Sequence, residues 1–523
     1  MIQFAAKFLS ILKSPIEERM TLKHSIFLLF AATASFKAVS APWIEVDNIG
    51  LRADIQLLAD TGVINLPVST YPLMWESVAQ SIKNIDLQQL SPTQQTAFIR
   101  LKKNLTEQTS SVGKAKIDAS LTTGDTRFSS FGTRLSEKQR IGLGYEQMNS
   151  DWAGRINLNY ANPDDPNIDS NSLNFDGSYL AYKLGNWVIS AASIEQWWGP
   201  GIDTSLIMSN NSRPLPAIAI RRNDSAAFKS PWLSWIGPWT FSAQMAQLEN
   251  DRFVPDTKMW SSRAAFKPYR KIEFGVSWSY QWAGQGQPSS LDHFFRGLTG
   301  DTECINGASS CDEALQTKLG NQIAGFDLRW SDSIKGIPYS IYTQRIGEDS
   351  PEPGTIKISD RSYLYGIETQ FTFDQFHILT NLEYTDTQAN CGARGDTSQD
   401  CFYEHGTYRT GYRYYQRSIG STYDNDAETI VLTLFAQHLN SDTWQIKFRN
   451  LDLNTNDRDR YPDNPQLGNS VSKIAQKVNQ IEVQHEFDFY KGRLTLGGLF
   501  SDIRSQQNDD SEFELILKYS YFF

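Results

Sequence analysis

Beyond Val112, apolar and polar residues alternate with a period of two, which is the pattern of β-strands with one buried face. The clearest case is the final segment, EFELILKYSYFF, whose apolar side carries Phe513, Leu515, Leu517, Tyr519, Tyr521 and Phe523. A soluble protein would cover such a stripe with its core and leave its last residues frayed. A stripe that stays apolar and aromatic up to the terminal residue therefore predicts a strand whose face meets lipid.

The connections between the predicted strands alternate between short and long. The alternating region divides into about 18 strands, and short turns such as MNSD, YRK and YKG follow even-numbered strands. Most segments that follow odd-numbered strands are long. The one clear exception to the alternation is the linker at residues 223–237, which follows strand 6 and is long. Short turns on one rim and long loops on the other are typical of outer-membrane barrels, and a large sheet in lipid must close. We therefore predict a mainly β fold, a closed antiparallel outer-membrane β-barrel over residues 113–523 with long extracellular loops.

The N-terminal residues carry an export signal. In MTLKHSIFLLFAATASFKAVSA, which begins at Met20, a basic n-region precedes an apolar run from Ile26 to Ala34 and then small residues. This order is that of a secretory signal peptide, and the apolar run is too short for a membrane-spanning helix. We predict that residues 1–40 are removed near Ser40, and that the chain either starts at Met20 or has an unusually long n-region. The signal and the loop lengths together argue against the alternative of a large soluble β-sandwich.

Residues 41–112 have a helical period instead. Apolar faces recur at helical spacing, and they consist of Leu51, Ile55 and Leu58, then Met74, Val78 and Ile82, then Phe98, Leu101 and Leu105. The segment SPTQ places Ser91 as N-cap, Pro92 at the first helical position and Gln94 where it completes a capping box. Both ends of a barrel with an even number of strands emerge at the rim with the short turns. We therefore predict a small periplasmic helical bundle.

The composition and the motifs exclude several classes of function. The formal net charge is −10, which argues against a nucleic-acid partner because such proteins usually carry a basic domain. The sequence has no G-x-S-x-G, no H-E-x-x-H and no P-loop, and its 6 histidines are scattered. We predict no catalytic residues, no bound metal and no cofactor, so the protein is not expected to be an enzyme.

The inward side of the predicted barrel is strongly charged, and its residues include Arg155, Glu273, Asp327, Arg329, Lys447, Arg449, Glu482, Glu486 and Lys518. Mixed charge of this kind belongs to a solvated wall or to a cross-linked one. A barrel of this size encloses an aqueous channel unless something fills it. A substrate-specific porin or sugar channel therefore remains an alternative.

The block EQWWGPGIDTSLIMSNNSRPLP, residues 195–216, is the most distinctive loop. Its adjacent tryptophans, Trp197 and Trp198, cannot both face lipid, and the Gly-Pro-Gly that follows turns the chain sharply. Groups that suit sugar hydroxyls and carboxylates follow at Asp203, Asn210, Asn211 and Arg213. From this chemistry alone, the loop is either a plug in the barrel mouth or a binding site.

The loop YRTGYRYYQR lies in the longest predicted outer connection. Its arginines recur every four residues with tyrosines between them, and the candidate residues are Tyr408, Arg409, Tyr412, Arg413, Tyr414, Tyr415 and Arg417. Guanidinium groups bind carboxylates in bidentate geometry, and flat rings can cover the apolar face of a sugar. We predict a main contact for an acidic glycan here. The alternatives are that these arginines bind lipopolysaccharide phosphates or pair with Asp424, Asp426 and Glu428.

Several segments resemble the capsule-assembly Wzi family, namely LRADIQLLADTGVINLPVSTYPLMW, QWWGPG, SNNSRPLP, GPWTF and QLEND. The likeness runs from Leu51 to Phe523. It implies an outer-membrane barrel whose pore is closed by folded-in loops, with a periplasmic helical bundle. It also implies a lectin-like protein that binds and anchors acidic capsular polysaccharide or exopolysaccharide at the cell surface without catalysis. An outer-membrane enzyme is the further alternative.

Other partners follow from the predicted location. Outer-membrane lipid and lipopolysaccharide would surround the barrel. The terminal Phe523 on the last strand resembles the signal that barrel-assembly machinery recognises, so we expect that machinery to be a partner during biogenesis.

The 4 cysteines of an exported protein are expected to pair. We predict local disulfides between Cys304 and Cys311 and between Cys391 and Cys401, each within a long outer loop, although four cysteines allow three connectivities.

Overall fold

The computed structural model describes residues 42–109, 113–124, 127–133, 137–163, 173–298, 320–348, 361–389, 400–439 and 441–523. The predicted signal peptide, residues 1–40, lies outside these described residues, as do Cys304, Cys311 and Cys391. Cys401 is disulfide-bonded, and the proposed pairing of all four cysteines remains a prediction.

Within the described residues, 18 strands form a closed antiparallel barrel, which confirms the predicted fold. In chain order they are β1 Lys114–Thr122, β2 Glu137–Met148, β3 Trp152–Pro163, β4 Tyr179–Leu184, β5 Trp187–Ser193, β6 Pro216–Arg222, β7 Trp239–Gln247, β8 Lys258–Tyr269, β9 Ile272–Trp282, β10 Asn321–Ile334, β11 Ile337–Glu348, β12 Arg361–Phe373, β13 Phe376–Asp386, β14 Ala427–His438, β15 Thr443–Leu453, β16 Gln476–Phe489, β17 Gly492–Ser505 and β18 Asp509–Phe522. The barrel closes where β18 pairs with β1, from Ile516 opposite Thr122 to Phe522 opposite Lys116. A two-residue ladder, Leu173–Asn174, also pairs with β3.

The two rims differ as the sequence predicts. Tight turns such as Lys335–Gly336 join β10 to β11, and both residues have positive φ, 52° and 83°, as a type I′ turn requires. We call this side the short-turn rim and the opposite side the long-loop rim. On the short-turn side, the segment between β6 and β7 is the exception, and it contains the 3₁₀ turn Ser234–Ile236.

The last strand shows how the two faces of the wall differ. Phe513, on the outside of the barrel, is 66% exposed, whereas Ile516, on the inside, is 2% exposed. The rings of Tyr521 and Phe523 stack at the short-turn rim with their centres 5.5 Å apart. The apolar stripe that reaches the terminus therefore faces outward.

Helices α1 Ile49–Asp60, α2 Trp75–Ile82 and α3 Pro92–Gln108 precede the barrel, and α4 Leu291–Leu298 lies in the connection after β9. The Asn48 side chain caps α1 by accepting from the amide of Leu51, and Ser91 and Gln94 form the predicted capping box of α3. A shared core joins the three N-terminal helices, and it includes the predicted face residues Leu51, Ile55, Leu58, Val78, Ile82, Phe98 and Leu101. None of the helices in the described part of the chain is long and apolar enough to span a membrane.

The N-terminal segment is fastened to the inner wall of the barrel. Asp60, at the end of α1, accepts from Arg329 at 2.6 Å and from the hydroxyl of Ser340 at 2.7 Å. The Glu273 carboxylate of β9 accepts from the main-chain amides of Val68 and Ser69, each at 2.9 Å. The charged inner wall predicted from the sequence is therefore cross-linked to the chain that fills the lumen.

Candidate functional site

The loop between β5 and β6, residues 194–215, fills the barrel from the long-loop rim. Trp197 and Trp198 are fully buried, and they pair in an antiparallel ladder with Tyr71 and Thr70. The indole nitrogen of Trp197 donates to the carbonyl of Gly201 at 2.8 Å. Neither tryptophan faces lipid, and the ladder joins a loop from one rim to the segment that enters from the other.

Helix α1 holds the Gly-Pro-Gly turn of the same loop. The Arg52 guanidinium donates to the carbonyls of Pro200 and Gly201 at 2.7 and 2.8 Å. The Cζ atom of the same guanidinium lies 4.3 Å from the centre of the Phe131 ring. These contacts fix the turn against the helical segment, so the lumen is occupied along its axis.

Asp203 is bound to the wall of the barrel. Its carboxylate accepts from Arg449 at 3.3 Å and from the hydroxyl of Tyr423. Its main-chain amide donates to the Glu383 carboxylate of β13 at 2.9 Å. Because Asp203 is 1% exposed, these internal partners take up its hydrogen-bonding capacity.

The two asparagines of the loop also bind protein groups. Asn210 donates to the Ser130 carbonyl at 2.9 Å, and Asn211 donates to the Ser418 carbonyl at 3.0 Å. Arg417 in turn donates to the main-chain and side-chain oxygens of Asn211 at 2.8 and 2.9 Å. The loop at 194–215 and the loop at 400–426 are thereby joined into one unit, which we call the outer plug.

The tyrosines of the segment 408–417 mostly point into the outer plug. Tyr408 and Tyr412 are buried, and their hydroxyls donate to the carbonyls of Ala283 and Ile207 at 3.0 and 2.9 Å. Tyr414 is buried as well, with its ring centre 4.7 Å from that of Tyr415, which is partly exposed. These rings act as packing for the plug in the structure.

Arg413 lies at the centre of a buried cage of charges. Its Nε and Nη2 donate to the two oxygens of Asp424 at 2.7 and 2.8 Å, and its Nη2 is 2.6 Å from Glu404 Oε1. Among the described residues, neither oxygen of Glu404 has a well-aligned donor, so this second contact is an ion pair without good hydrogen-bond geometry. For Arg413, the structure thus shows pairing with Asp424, one of the alternatives to glycan binding predicted from the sequence.

The two carboxylates of the cage are not equivalent. Burial raises the pKa of Glu404 above its usual range despite the nearby guanidinium. Burial also acts to raise the pKa of Asp424, but Arg413 and the hydrogen bonds from Ser470 outweigh it and leave that pKa below its usual value. Asp424 is therefore the better-compensated carboxylate of the pair.

A second group of arginines lies toward the surface, each beside an aromatic ring. The guanidinium of Arg409, an exposed residue, is 4.8 Å from the ring centre of Phe253. That of Arg460, also exposed, is 5.9 Å from the ring centre of Tyr461. We call these pairs, together with the next, the arginine–aromatic pairs.

The third arginine–aromatic pair is partly buried. The Arg213 guanidinium lies 4.7 Å from the ring centre of Tyr415 and makes a bidentate contact with Asp176, at 3.0 and 3.1 Å. The side chain of Arg213 is 14% exposed, so part of it is in contact with solvent.

The positions of the predicted contact residues thus differ from the expectation of one exposed glycan-binding loop. Arg409 is exposed, and Arg213, Tyr415 and Arg417 are partly exposed. The others are buried, namely Trp197, Trp198, Asp203, Asn210, Asn211, Tyr408, Tyr412, Arg413 and Tyr414. The physical reason is that these side chains pack inside the lumen, where most of their polar groups bond to other protein groups; among the described residues, the indole nitrogen of Trp198 and Oδ1 of Asn210 have no such partner. Whether any of these residues binds a glycan remains a prediction.

Sequence reasoning missed Phe253, Arg460 and Tyr461. A signal was present, because both sites read Asp-Arg-aromatic and are followed closely by Pro and Asp, in DRFVPD and DRYPD. A search of the long loops for an arginine beside an aromatic residue, with acidic residues on both sides, would have identified these three residues.

A polar cavity of about 150 Å³ remains between the plug and strands β1 to β3. Its lining includes Glu45, Asp118, Arg140, Arg155 and Asp176. Arg155 of β3 is paired with Glu45, so the N-terminal segment is also bound to the wall at this cavity. In the part of the chain that the structure describes, no three His, Cys, Asp or Glu residues are placed to hold a metal ion.

The closed barrel, its lumen filled from both rims, defines an internally plugged β-barrel of the outer-membrane type. The family described as capsule assembly protein Wzi matches residues 108–514, and the chain belongs to that family. This confirms the resemblance stated from the sequence.

Individual relatives agree with this assignment. A Klebsiella pneumoniae protein described as an uncharacterized 55.8 kDa protein in the cps region is 29% identical over 352 residues, which is 67% of this chain and 66% of that protein. The matched region is thus slightly less than two thirds of that relative. The solved structure of Wzi from Escherichia coli, described as a carbohydrate-binding β-barrel involved in group 1 capsule assembly, is 25% identical, with a TM-score of 0.76 over 91% of this chain and 98% of that one.

Other solved barrels are less similar. OprD from Pseudomonas aeruginosa is 8% identical with a TM-score of 0.40, over 79% of this chain and 94% of that one.

Proposed function

We propose that this protein is a lectin-like outer-membrane barrel that binds capsular polysaccharide or exopolysaccharide and anchors it at the cell surface. The observation that carries the proposal is the filled lumen in a member of the Wzi family. The N-terminal segment and the outer plug meet inside the barrel through the ladder between residues 70–71 and 197–198, and Arg52 of helix α1 binds the carbonyls of Pro200 and Gly201. A ligand as large as a polysaccharide must then bind outside the lumen.

The filled lumen also argues against the porin alternative. A porin needs a continuous aqueous path. Here Arg52 binds the outer plug, Asp203 of the plug binds the wall, and Glu273 of the wall binds the N-terminal segment. We further propose binding without catalysis, because the buried charged groups named above bind one another or main-chain groups.

The arginine–aromatic pairs supply the chemistry for an acidic glycan. A guanidinium can bind a sugar carboxylate through two parallel hydrogen bonds, and an aromatic ring beside it can cover the apolar face of the sugar ring. Arg409 with Phe253 and Arg460 with Tyr461 are exposed enough for this, and Arg213, Tyr415 and Arg417 extend the proposed surface. We propose that the buried candidate residues shape this surface by holding the outer plug rigid.

We also propose the orientation and the processing of the chain. Residues 1–40 would be the cleaved signal peptide, the helical segment would be periplasmic and the long-loop rim extracellular, with lipid and lipopolysaccharide around the wall and barrel-assembly machinery acting during biogenesis. The parity of the strands supports this orientation, because both chain ends lie at the short-turn rim.

The orientation predicts where a label can reach. Asp86 is exposed between α2 and α3, so a cysteine placed there should react with a membrane-impermeant reagent only after the outer membrane is permeabilised. Labelling of intact cells at this position would contradict the proposed topology, because it would place the helical segment outside the cell.

Charge removal at the exposed pairs should weaken glycan binding. For R409Q/R460Q we expect retention of acidic polysaccharide to fall about 5- to 30-fold, since each exposed charge contact contributes about 0.5–1 kcal/mol. Raised salt should mimic the loss in the wild type because exposed charges are screened. The measurement is polysaccharide binding by purified protein and by intact cells.

A matched variant separates a local effect from a general loss of positive charge. R504Q removes an arginine on the outer wall that is paired with Asp502 at 2.9 Å, and it should bind polysaccharide as the wild type does. If R409Q/R460Q also binds as the wild type does, the proposed surface is wrong.

A further inference from the structure

A row of charged and polar residues crosses the outside of the barrel near the long-loop rim. Its members are consecutive cross-strand partners from β11 to β18, so they face the same side of the sheet. They are Arg345, Tyr363, Asp386, Glu428, Asp452, Lys477, Arg504 and Asp509. We call them the polar row.

A second row runs parallel to it, four residues further along each strand toward the short-turn rim. It consists of Ile341, Ile367, Leu382, Leu432, Phe448, Ile481, Phe500 and Phe513, and every member is apolar. Four residues of strand cover about 13 Å. The outer wall therefore changes from apolar to polar between these two rows.

The basic residues of the polar row differ in their partners. Lys477 is 3.2 Å from Asp452, and Arg504 is 2.9 Å from Asp502. Arg345 has neither a carboxylate nor a hydrogen-bond acceptor among the described residues, and its guanidinium lies 5.6 Å from the centre of the Tyr363 ring. An anion from outside the chain would complete its contacts.

The surroundings of Arg345 suit a lipid headgroup. Arg361 lies two residues before Tyr363 on β12, on the same face and exposed, so it is a diagonal neighbour of Arg345. The rings of Tyr363, Tyr365 and Tyr384 stack in succession, with centres 6.1 and 6.5 Å apart. Aromatic rings of this kind favour the boundary between hydrocarbon and headgroups.

We propose that Arg345, with Arg361 beside it, binds the phosphate of a lipid headgroup in the leaflet at the long-loop rim. A guanidinium at the edge of the hydrocarbon is costly unless an anion neutralises it, and phosphate accepts its paired hydrogen bonds. The proposal depends on the membrane location of the barrel given above, but it does not depend on polysaccharide binding.

Lipid binding by the detergent-purified full-length protein tests the proposal. The probes are a diphosphorylated glycolipid, the same glycolipid without its phosphates, and inorganic phosphate, followed by native mass spectrometry. The wild type should retain the phosphorylated lipid in preference to the stripped one. R345Q should lower that retention about tenfold or more, and R345K, which keeps the charge but not the bidentate geometry, should lie between them.

The control is again R504Q, which lies in the same polar row and should retain lipid as the wild type does. Equal retention of both lipids by the wild type, or unchanged retention by R345Q, would overturn the site. Competition by inorganic phosphate at concentrations comparable to the lipid would show a free-anion site and overturn the lipid assignment. Heat-modifiable gel mobility shows whether R345Q folds. If it does not, lipid retention by R345K and the comparison of the two lipids on the wild type decide whether Arg345 binds the lipid phosphate.

Measuring polysaccharide binding by the same variants tests the lipid site and the proposed function independently. R345Q should bind polysaccharide normally, whereas R409Q/R460Q should lose polysaccharide and retain lipid. Each proposal can therefore fail without the other.

Discussion

Replacing Arg413 with glutamine is expected to loosen the outer plug while leaving the barrel wall intact. The change leaves the buried carboxylates of Glu404 and Asp424 without their cation. Breaking a buried ion pair in this way typically costs about 3–5 kcal/mol, because the remaining charge is uncompensated. The strands do not depend on this cage, so heat-modifiable gel mobility should persist while proteases cut the segment 400–426 more readily.

The defect of R413Q should grow with pH. Burial already raises the pKa of Glu404, and without Arg413 both carboxylates are expected to have folded-state pKa values above their unfolded ones. Protonation below those pKa values removes the uncompensated charge, so the plug should be firmer at acidic pH and looser at neutral pH. Proteolysis rates measured across this range test the sign.

R409Q is the matched control, because it makes the same change four residues earlier at an exposed guanidinium. Its outer plug should resist protease as the wild type does. If R413Q were equally resistant at neutral pH, the cage would not be what holds this loop. Planar-bilayer recordings add a second readout, since we expect fluctuating current from R413Q and no steady large-pore current from the wild type.

The second large effect is expected at Glu273. In E273A the amides of Val68 and Ser69 lose their acceptor inside the barrel. A buried donor without a partner costs about 1–3 kcal/mol, and two amides are affected. The N-terminal segment should therefore detach from the wall, and protease added to the detergent-solubilised protein should cut it faster.

Two variants make this result specific. E273Q keeps one acceptor oxygen and should give an intermediate rate of cleavage. E76Q makes the same change on α2, where the Glu76 carboxylate accepts from Gln80 at 2.8 Å on an exposed surface, and should behave as the wild type does. Equal cleavage of E273A and the wild type would mean that other contacts, such as Asp60 with Arg329, hold the segment alone.

The strands could be predicted from the sequence because their signal is local. In β18, alternation separates Phe513, which is exposed, from Ile516, which is buried, and lipid outside a barrel imposes this period on each strand. The capping box at Ser91 and Gln94 was predictable for the same reason, since its partners lie three residues apart.

The long loops have no such period, and their side chains find partners far away in sequence. Arg409, Arg413 and Arg417 look equivalent at their spacing of four residues. In the structure the first is exposed, the second is caged by Asp424 and Glu404, and the third binds Asn211, 206 residues away. Local sequence could not separate these three environments, because the difference lies in which distant segment packs against each residue.

The ladder between Thr70–Tyr71 and Trp197–Trp198 has a consequence for the order of assembly. The first pair precedes every strand of the wall, and the second lies in the connection after β5. The sheet becomes a tube only where β18 meets β1, and β18 is the last strand in the chain. Once that seam is closed, the ladder and the Arg52 contacts could form only if chain entered the lumen through an open end of the barrel. The barrel wall and the chain that fills its lumen therefore have to fold together. Pairing of β18 with β1 is then the last step of one cooperative process, not the closure of a wall that was completed beforehand.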